Sequence, residues 1–525
     1  MQTAIKTYTG AQTIIKTLKN LGVDTIFGYP GGIVLSIYDE LAKQNDITHY
    51  LVRHEQAAIH AAEGYSRVSE KCGVVLVTSG PGATNIVTGL ANAYHDSFPL
   101  VAITGQVSSN LLHKGAFQEV DIVDITKSCT KANFQVKSVK DLQKTLVNAY
   151  NTAMSGRKGP VLVDITKNVF TEECEYLDNI FEKFSEFTQQ IDTEKVFQII
   201  NRSKSPLILV GGGAIDAAEE VRTFANLTNI PVVSTMMGLG IYPAEYENYL
   251  GMVGIFGNAN NIVKESDLII AVGVRFNDRI KGFLGDFEKK LIRIDIDEKE
   301  LFGSVNASVK LLGDARSILK QLIKNAKPLE IKSINFPKLP ALKRSNNLHS
   351  FEVMEEINKY FKSKNIIITT EVGQHQVWAS RYLKFNQPRK FITSGGLGTM
   401  GFGFPAAIGA AIATNESVIC ISGDGSFQMN MQEIATCMDY NIPVKVFILN
   451  NGYLGMVRQF QEKLYDQRYY ATKISNPDFI KLAQSYGALA LRVEQKSDIE
   501  LAIKKVMNYN GFAIIDFVVE QEELL

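Results

Sequence analysis

Two polar turns near the carboxyl end of the chain, separated by 24 residues, constrain the fold more than any other stretch. The first, Gly-Asp-Gly at 423–425, follows the apolar run 418–421, and the second, Asn-Asn at 450–451, follows the apolar run 444–449. Between them, apolar residues recur at helical spacing over 431–440. The pattern predicts a βαβ unit, whose parallel strands end at the same edge of a sheet. We therefore expect the two turns to lie side by side.

These turns carry the chemistry of a metal and phosphate site. A carboxylate at Asp424 and an amide oxygen at Asn451 suit a small hard cation such as Mg²⁺, with phosphate oxygens completing the octahedron. Gly423 and Gly425 let the backbone approach phosphates closely. The alternative is an ordinary turn that needs glycine for geometry alone. The asparagine pair at this distance, after a second strand, favours a diphosphate–Mg²⁺ site.

Length and composition limit the number of domains, the kinds of partner and the cellular compartment that the sequence allows. A chain of 525 residues is too long for one core and predicts three domains. The 55 basic residues balance the 55 acidic ones, which argues against nucleic acid or an anionic membrane as a partner. The five cysteines show no metal-binding spacing and indicate a reducing, cytoplasmic compartment. No apolar run predicts a transmembrane helix, and residues 1–10 lack the apolar stretch of a signal peptide.

Short apolar runs alternate with helical patterns throughout, which predicts an α/β fold of three doubly wound parallel-sheet domains. The predicted domains are 1–175, 190–325 and 348–525. An acidic stretch at 171–191, expected to hold a helix, and a lysine- and proline-bearing stretch at 325–347 are predicted as linkers. Outside the opening unit, the predicted strands are 25–27, 73–78, 100–104, 207–210, 231–233, 268–272, 291–295 and 366–368.

Two segments of the first predicted domain carry groups that can face a ligand. The Tyr-Pro-Gly-Gly turn at 29–32 follows a strand and opens a helix, so its amides can face an anion, although alone it is only a turn. Glu55 begins an alanine-rich helix. A carboxylate in a first helical turn also stabilises the helix itself, by less than about 1 kcal/mol. The residues alone therefore leave a structural and a functional interpretation of Glu55 equally open.

Residues 423–428 and 449–459 closely resemble the large subunit of acetohydroxyacid synthase (acetolactate synthase), a family of thiamine diphosphate enzymes. Segments at 78–85, 115–119 and 394–401 resemble the same family, so the resemblance covers nearly the whole chain. It implies a pyrimidine-binding domain, a central flavin-binding-like domain and a diphosphate-binding domain. It further implies that pyruvate is decarboxylated and joined to a second 2-oxo acid. The implied products are 2-acetolactate or 2-aceto-2-hydroxybutyrate, for branched-chain amino acid biosynthesis.

The resemblance implies how thiamine diphosphate and Mg²⁺ are held. Glu55 would hydrogen-bond the aminopyrimidine ring and promote deprotonation of the thiazolium carbon. Met400 would wedge beneath the bent cofactor, and the backbone at Gly398 would accept its amino group. The other implied cofactor-binding residues are Tyr29, Gln374, His375, Gly423, Gly425 and Ser426, and the implied metal ligands are Asp424, Asn451 and the backbone carbonyl of Tyr453. If the resemblance is set aside, His375 would be interpreted as a loop histidine and Met400 as a core residue.

The resemblance also implies which groups meet the substrates. Arg279 would bind the carboxylate of the acceptor and, with the ring at position 460, set a preference for 2-oxobutyrate. Gln118 and glycine amides near Gly32 would stabilise oxyanion charge. The remaining implied channel residues are Phe117 and Lys167. The family has tryptophan where this chain has Phe460, which leaves more room beside the acceptor.

The middle domain carries segments suited to a dinucleotide. Glycines at 211–213 follow a strand and precede a helix, a turn suited to pyrophosphate but short of the full dinucleotide fingerprint. Arginines after one strand can pair with phosphate, and acidic residues after two others can hold ribose or polar ring groups. These segments resemble those that bind FAD in the family, where the flavin does no net redox work. The implied residues are Gly211, Gly212, Gly213, Arg157, Arg275, Asp295 and Asp314.

The partners follow from the same resemblance. Glu55 and Asp424 lie in different predicted domains, and the family builds its active sites between two subunits. A homodimer or homotetramer that acts on 2-oxo acids is therefore implied, with a small regulatory subunit as a further partner. The family continues beyond the acidic end at 520–525 into a tail that helps cover the site, so the resemblance implies either weaker closure over the cofactor or a truncated product here.

Two other functions remain open from the sequence. The family has aspartate where this chain has Gly115, histidine where it has Phe256 and aspartate where it has Asn277. Together with Phe460, Gly115 and Phe256 motivate a related enzyme that delivers the same acyl unit to another carbonyl, such as a keto-sugar. The second alternative is a non-catalytic homologue, against which the intact Glu55 and Asp424 count.

Overall fold

The computed structural model describes residues 6–178, 180, 190–284, 291–303, 305–331, 345–361, 364–521 and 523–525. Three six-stranded parallel sheets contain all but two of the described strands. The predicted fold class is thereby confirmed. No helix in these ranges is long and apolar enough to cross a membrane.

The amino-terminal region holds the first sheet and a small antiparallel pair. Its strands are β1 (Thr7–Thr9), β2 (Thr25–Tyr29), β3 (Thr48–Leu51), β4 (Gly73–Val77), β5 (Leu100–Gln106), β6 (Ala132–Val136), β7 (Pro160–Thr166) and β8 (Glu173–Glu175). Its helices are α1 (Gly10–Asn20), α2 (Leu35–Leu41), α3 (Glu55–Ser69), α4 (Pro81–Asn85), α5 (Val87–Asp96), α6 (Ile122–Thr126) and α7 (Val139–Met154). The sheet has the order β3-β2-β4-β5-β7-β6.

The predicted linker at 171–191 begins differently from expectation. Its residues 173–175 form β8, which pairs antiparallel with β1 and returns the chain to the start of the first region. Three-residue strands carry too little alternation to be recognised in a sequence. The helix expected in this linker falls largely on residues 179 and 181–189, which lie outside the described part of the chain. Residues 332–344 of the second predicted linker lie outside it as well.

The middle region forms a sheet in the order β11-β10-β9-β12-β13-β14, the order of dinucleotide-binding folds. Its strands are β9 (Pro206–Val210), β10 (Val232–Ser234), β11 (Tyr249–Met252), β12 (Leu268–Val272), β13 (Leu291–Asp295) and β14 (Val309–Leu312). Its helices are α8 (Thr193–Ile200), α9 (Ala218–Thr228), α10 (Asn260–Glu265), α11 (Asp278–Leu284), α12 (Glu298–Gly303) and α13 (Ala315–Ile323).

The carboxyl-terminal region repeats the topology of the first. Its strands are β15 (Ile367–Thr370), β16 (Phe391–Ile392), β17 (Val418–Gly423), β18 (Val444–Asn450), β19 (Leu489–Val493) and β20 (Ala513–Val518). Its helices are α14 (Ser350–Phe361), α15 (Gln374–Tyr382), α16 (Gly403–Thr414), α17 (Asp424–Phe427), α18 (Ile434–Asp439), α19 (Gly455–Leu464), α20 (Phe479–Ser485) and α21 (Ile499–Met507). The order β16-β15-β17-β18-β20-β19 corresponds strand for strand to that of the first sheet.

Each sheet is covered on both faces, which is why its strands are apolar runs rather than alternating ones. In β4, Val74 and Leu76 face one core, whereas Val75 and Val77 face another. The strands β12 and β17 divide their side chains between two cores in the same way.

Helices α3 and α16 join the first and third regions by direct backbone contact. A Cβ at Gly64 would lie 2.0 Å from Ala406 O, and a Cβ at Gly409 would lie 1.8 Å from Ala61 O. Arg67, in the last turn of α3, lies against the ring of Phe402 at the start of α16. The two helices therefore run antiparallel, and only glycine allows so close an approach.

Candidate functional site

The carboxyl ends of β17 and β18 bring the two opening turns together. Gly423 pairs with Leu449 in the parallel ladder, so Asp424, directly after β17, lies beside Asn450, the last residue of β18. Asn476, from the loop before α20, donates to Asp424 Oδ2 at 2.7 Å and to Asn450 Oδ1 at 3.0 Å. This asparagine links the two turns, and no spacing in the sequence points to it.

Asp424 is almost fully buried, at 1% exposure, and burial raises the pKa of its carboxyl to about 6. Its Oδ2 also accepts a hydrogen bond from Gly452 N at 2.9 Å. Asn451 Oδ1 accepts from Tyr453 N at 3.0 Å, which holds the turn that contains Tyr453. A buried carboxylate of this kind gains most from a bound cation.

One cavity collects nine of the residues assigned to thiamine diphosphate and the metal. They are Gln374, His375, Met400, Gly423, Asp424, Gly425, Ser426, Asn451 and Tyr453. Trp378, the single tryptophan of the chain, lines the same cavity. We call this space the third-domain cavity.

The third-domain cavity has the donors that a diphosphate requires. Within the described residues, the buried Nε2 of His375 has no hydrogen-bond partner, and no side chain caps the amino end of α15. Burial lowers the pKa of His375 to about 3, whereas a bound anion beside the ring would raise it and favour a proton on Nε2. A Cβ at Gly423 would lie 2.7 Å from His375 Nδ1, so glycine is needed for this approach. An anion at the helix terminus would satisfy the orphaned donors, and the residues therefore fit the diphosphate.

Gln374 is already engaged. Its Nε2 donates to Gln459 Oε1 at 2.9 Å and to the Glu523 carbonyl at 3.1 Å. Its Oε1 accepts from Asn451 Nδ2 at 3.5 Å. The side chain thus ties α15 to the metal turn and to the last residues of the chain, and its backbone amide is the group left to face an anion.

Glu371 holds the turn that carries Met400. This fully buried carboxylate accepts hydrogen bonds from Gly401 N at 2.7 Å and from Phe404 N at 2.9 Å. Burial raises the pKa of its carboxyl to about 7, although these amides oppose the shift. Gly398 has φ +78°, a conformation that favours glycine, in the turn before Met400.

The raised pKa of Glu371 predicts a pH-dependent stability. The unfolded carboxyl ionises near 4.5 and the folded one near 7, so in this window the folded protein binds more protons. Raising the pH therefore destabilises the fold, by up to about 3 kcal/mol from this group. We expect Glu371→Gln to remove that part of the pH slope of the apparent unfolding free energy, measured in urea. Glu416→Gln, at an exposed turn, is the control. Equal slopes for Glu371→Gln and wild type would contradict the prediction.

The first sheet provides a second set of functional groups, which we call the first-domain half-site: Glu55, Thr78, Gly82, Asn85 and Gln118. Glu55 begins α3, and its Oε2 accepts from Asn85 Nδ2 at 2.9 Å. A Cβ at Gly82 would lie 3.5 Å from Glu55 Oε1, so Gly82 leaves room beside the carboxylate. In the described chain, the buried hydroxyl of Thr78 has no partner. The half-site therefore offers an acid and a free hydroxyl to one ligand.

The turns around this half-site are set by backbone conformation. Gln118 has φ +61°, and its carbonyl would lie 2.9 Å from a Cβ at Gly80. Gly115 has φ +67° and open space around it, so glycine there relieves backbone strain. A Cβ at Gly31 would lie 2.6 Å from Thr78 Oγ1, which places the turn with Tyr29 and Gly32 beside the half-site.

Several assigned substrate residues are exposed in the single chain. Phe117 is 88% exposed and Phe460 is 44% exposed. Lys167 follows β7, and Arg279 lies in α11 of the middle region; both are exposed. Within the described residues, no hydrogen bond or ion pair joins Arg279 or Phe460 to Glu55.

Some of the residues assigned to FAD already bond other parts of the protein, whereas others have no such partner in the described chain. Arg157 donates to Ser97 Oγ at 2.9 Å and pairs with Asp297 Oδ2 at 3.0 Å, joining the first and middle regions. Asp314 caps α13 by accepting from Ser317 N at 2.9 Å. Asp295, at the end of β13, accepts from Asp297 N, and burial raises the pKa of its carboxyl.

Among the residues assigned to FAD, Arg275 has a guanidinium group that could bind a phosphate. Burial lowers its pKa, and no hydrogen bond to it is found within the described ranges. An anionic group would satisfy it, so the residues fit a dinucleotide pyrophosphate.

The glycines of the predicted phosphate turn pack against the backbone of Gly273. A Cβ at Gly211 would lie 2.4 Å from Gly273 O, and a Cβ at Gly213 would lie 2.8 Å from Gly273 Cα. Gly212 begins a 3₁₀ helix, 212–217, that precedes α9, where a direct turn into the helix was expected.

Similarity to known proteins extends over nearly the whole chain. The family "Thiamine pyrophosphate enzyme, N-terminal TPP binding domain" matches residues 8–125, the corresponding central domain matches 193–322, and the "C-terminal TPP binding domain" matches 371–517. A "Probable acetolactate synthase large subunit" of Methanocaldococcus jannaschii is 42% identical over 98% of this chain and 93% of its own length. An "Acetolactate synthase" of Arthrospira platensis is 43% identical over 99% and 96%, respectively. The "Acetolactate synthase large subunit" of Haemophilus influenzae is 40% identical over 99% and 96%. The chain therefore belongs to the thiamine pyrophosphate enzymes, in the acetolactate synthase large-subunit family.

Proposed function

We propose that the protein decarboxylates pyruvate and joins the remaining two-carbon unit to a second 2-oxo acid, giving 2-acetolactate or 2-aceto-2-hydroxybutyrate. The observation that carries the proposal is the cavity at the ends of β17 and β18, which collects nine residues suited to thiamine diphosphate and a cation. Bound thiamine diphosphate supplies a nucleophilic carbon and an electron sink for decarboxylation. We further propose the domain bounds 1–175, 190–325 and 348–525.

The residues of the third-domain cavity would hold the diphosphate end. Asp424, Asn451 and the Tyr453 carbonyl would bind Mg²⁺, which neutralises the diphosphate and relieves the buried carboxylate. His375 Nε2 and the amides at the start of α15 would donate to phosphate oxygens. These contacts fix the position of the cofactor but do not select the carbonyl that reacts.

The first-domain half-site would control protons. Glu55, held by Asn85, would exchange a proton with the aminopyrimidine ring and so set its tautomer. Gln118, whose carbonyl lies beside Gly80, would donate to oxyanion charge as it develops. Arg279 would bind the carboxylate of the acceptor, with Phe460, Phe117 and Lys167 around it.

The geometry of one chain supports a homodimer with shared active sites. Because α3 and α16 run antiparallel, Glu55 lies nine residues from the Gly64–Ala406 contact, and Met400 lies six residues from it in the opposite direction. At 1.5 Å per residue, the helical segments 55–64 and 403–406 alone separate Glu55 from the start of α16 by about 18 Å, and Met400 lies before that start. A cofactor that touches both needs a second copy. We propose a homodimer, or a homotetramer built from such dimers.

Two further partners are proposed. FAD, without net redox work, would be held by Arg275 and the middle sheet, whose strand order is that of dinucleotide-binding folds. A small regulatory subunit is proposed because relatives carry the name of a large subunit.

Product analysis with purified protein tests the proposed function. With thiamine diphosphate, Mg²⁺ and pyruvate, we expect CO₂ and 2-acetolactate, and added 2-oxobutyrate should yield 2-aceto-2-hydroxybutyrate. The same reactions with and without FAD measure the flavin requirement. CO₂ release without acetolactate, but with a product formed on an added keto-sugar, would favour the related acyloin-forming enzyme. Stoichiometric cofactor binding without CO₂ release from any 2-oxo acid would contradict the proposal.

A further inference from the structure

Two buried carboxylates connect the first and third regions outside the two half-sites. Asp96 ends α5, and its side chain is fully buried. Glu433 immediately precedes α18 and is fully buried as well. Burying a carboxylate is costly unless several donors surround it. The identity of those donors indicates what each carboxylate does.

Asp96 binds the backbone of the turn that leads to Met400. Its Oδ1 accepts from Gly396 N at 2.6 Å, and its Oδ2 accepts from Gly395 N at 3.2 Å. Arg67, on α3, pairs with Asp96 Oδ2 at 2.5 Å and donates to the Thr393 carbonyl at 2.9 Å. A carboxylate from the first region thus fixes the start of a cofactor turn in the third.

Asn92, one helical turn before Asp96, completes this attachment. Its Oδ1 accepts from Ser394 Oγ at 2.5 Å and from Thr399 Oγ1 at 2.9 Å. Ser394 Oγ in turn accepts from Gly398 N and Thr399 N, each at 2.9 Å. The chain of hydrogen bonds therefore ends at the residue next to Met400.

Glu433, in the third region, binds the backbone of the first region. Its Oε1 and Oε2 accept from Arg53 N at 2.9 and 3.1 Å, two residues before Glu55. The single hydroxyl proton of Thr436 is shared between Glu433 Oε2, at 2.6 Å from Oγ1, and the Leu51 carbonyl, at 3.3 Å. A carboxylate of the third region thus fixes the segment that leads into α3.

We propose that Asp96 and Glu433 are positioning residues: each fixes, from one domain, the backbone that leads into the cofactor-bearing helix of the other. The proposal rests on the proposed function, because it takes Glu55 and Met400 as parts of the cofactor site. In the proposed dimer, the Glu55 and the Met400 of one chain belong to different active sites. The interface within each chain therefore positions one half of each of the two sites.

Cofactor binding by single variants is the first test. In Asp96→Asn, we expect the concentration of thiamine diphosphate that half-saturates Trp378 fluorescence to rise about tenfold to a hundredfold, with a smaller change in KM for pyruvate. Ser394→Ala, which removes the last hydroxyl of the chain of hydrogen bonds, should act in the same direction with less effect on folding. Glu352→Gln is the matched control, because Glu352 is equally buried and accepts from Lys496 Nζ and His349 N. Normal cofactor binding in both Asp96→Asn and Ser394→Ala would overturn the proposal.

Hybrid dimers separate positioning from general destabilisation. A dimer of one Asp96→Asn chain and one Glu55→Gln chain places both lesions in one site, so we expect about half of the wild-type activity. A dimer that carries both substitutions in one chain, beside a wild-type chain, damages both sites and should retain far less. Equal activities of the two hybrids would overturn the positioning role of Asp96. The proposed function fails separately, if the wild-type enzyme forms no 2-acetolactate from pyruvate, whereas an active Glu55→Gln homodimer would refute only the role of Glu55.

Discussion

Replacing Glu55 with glutamine is expected to lower kcat about a thousandfold, because a side chain that transfers protons typically contributes a factor of this size. Glutamine keeps the shape of the side chain and an oxygen that can accept from Asn85, so the amino end of α3 should remain intact. It removes the ionisable group that exchanges a proton with the cofactor ring. The measurement is kcat at saturating thiamine diphosphate, with the thermal midpoint recorded alongside.

Glu70→Gln provides the matched control. Glu70 follows α3 at its other end and forms an ion pair with Arg389 at 3.3 Å. We expect near-normal kcat in this variant. If Glu55→Gln turned over pyruvate as fast as Glu70→Gln does, the assignment of the proton-transfer role to Glu55 would be wrong.

Replacing Asp424 with asparagine is expected to weaken Mg²⁺-dependent binding of thiamine diphosphate more than about a hundredfold, since even residues that only support a metal ligand contribute factors of 10 to 100. The amide is similar in shape and can still accept from Gly452 N or from Asn476. It carries no charge, however, and a hard cation binds a carboxylate far better than an amide. The loss should therefore be electrostatic and should leave the turn in place.

Trp378 makes this loss measurable without turnover. It is the single tryptophan, it is buried, and it lines the third-domain cavity, so its fluorescence reports occupancy of that cavity. Titration with thiamine diphosphate at several Mg²⁺ concentrations gives the linkage between the two ligands. Asp466→Asn, at an exposed position of the same region, is the control. Tight, Mg²⁺-dependent binding in Asp424→Asn would exclude Asp424 as a metal ligand.

The sequence predicts the fold and one half of the site for the same physical reason. Runs such as 418–421 and 444–449 are buried on both faces and therefore identify parallel strands, and parallel strands end at one sheet edge. The residues that follow them, Asp424 and Asn451, consequently line one cavity. Local patterns suffice wherever the topology itself brings the residues together.

Groups that act through long-range contacts could not be predicted in this way. Asn476, Asn85 and Glu371 bond the turns around the site, although no pattern in the sequence assigns a role to these three residues themselves. Asp314, which the resemblance assigns to flavin, has a carboxylate that also caps a helix. A turn, a cap and a ligand site use the same residue types, so only the three-dimensional partners distinguish them.

The glycine contact between α3 and α16 has a consequence for how the protein unfolds. Two sheets with the same strand order look like independent units, but the contact leaves no space for a solvent layer or a sliding surface between their helices. Separating the units would expose small-residue helix faces together with the buried Arg67 and Glu63 charges. The free-energy cost of separating α3 from α16 is therefore comparable to that of opening a hydrophobic core. The first and third sheets should melt as one cooperative unit, although the chain connects them only through the middle region.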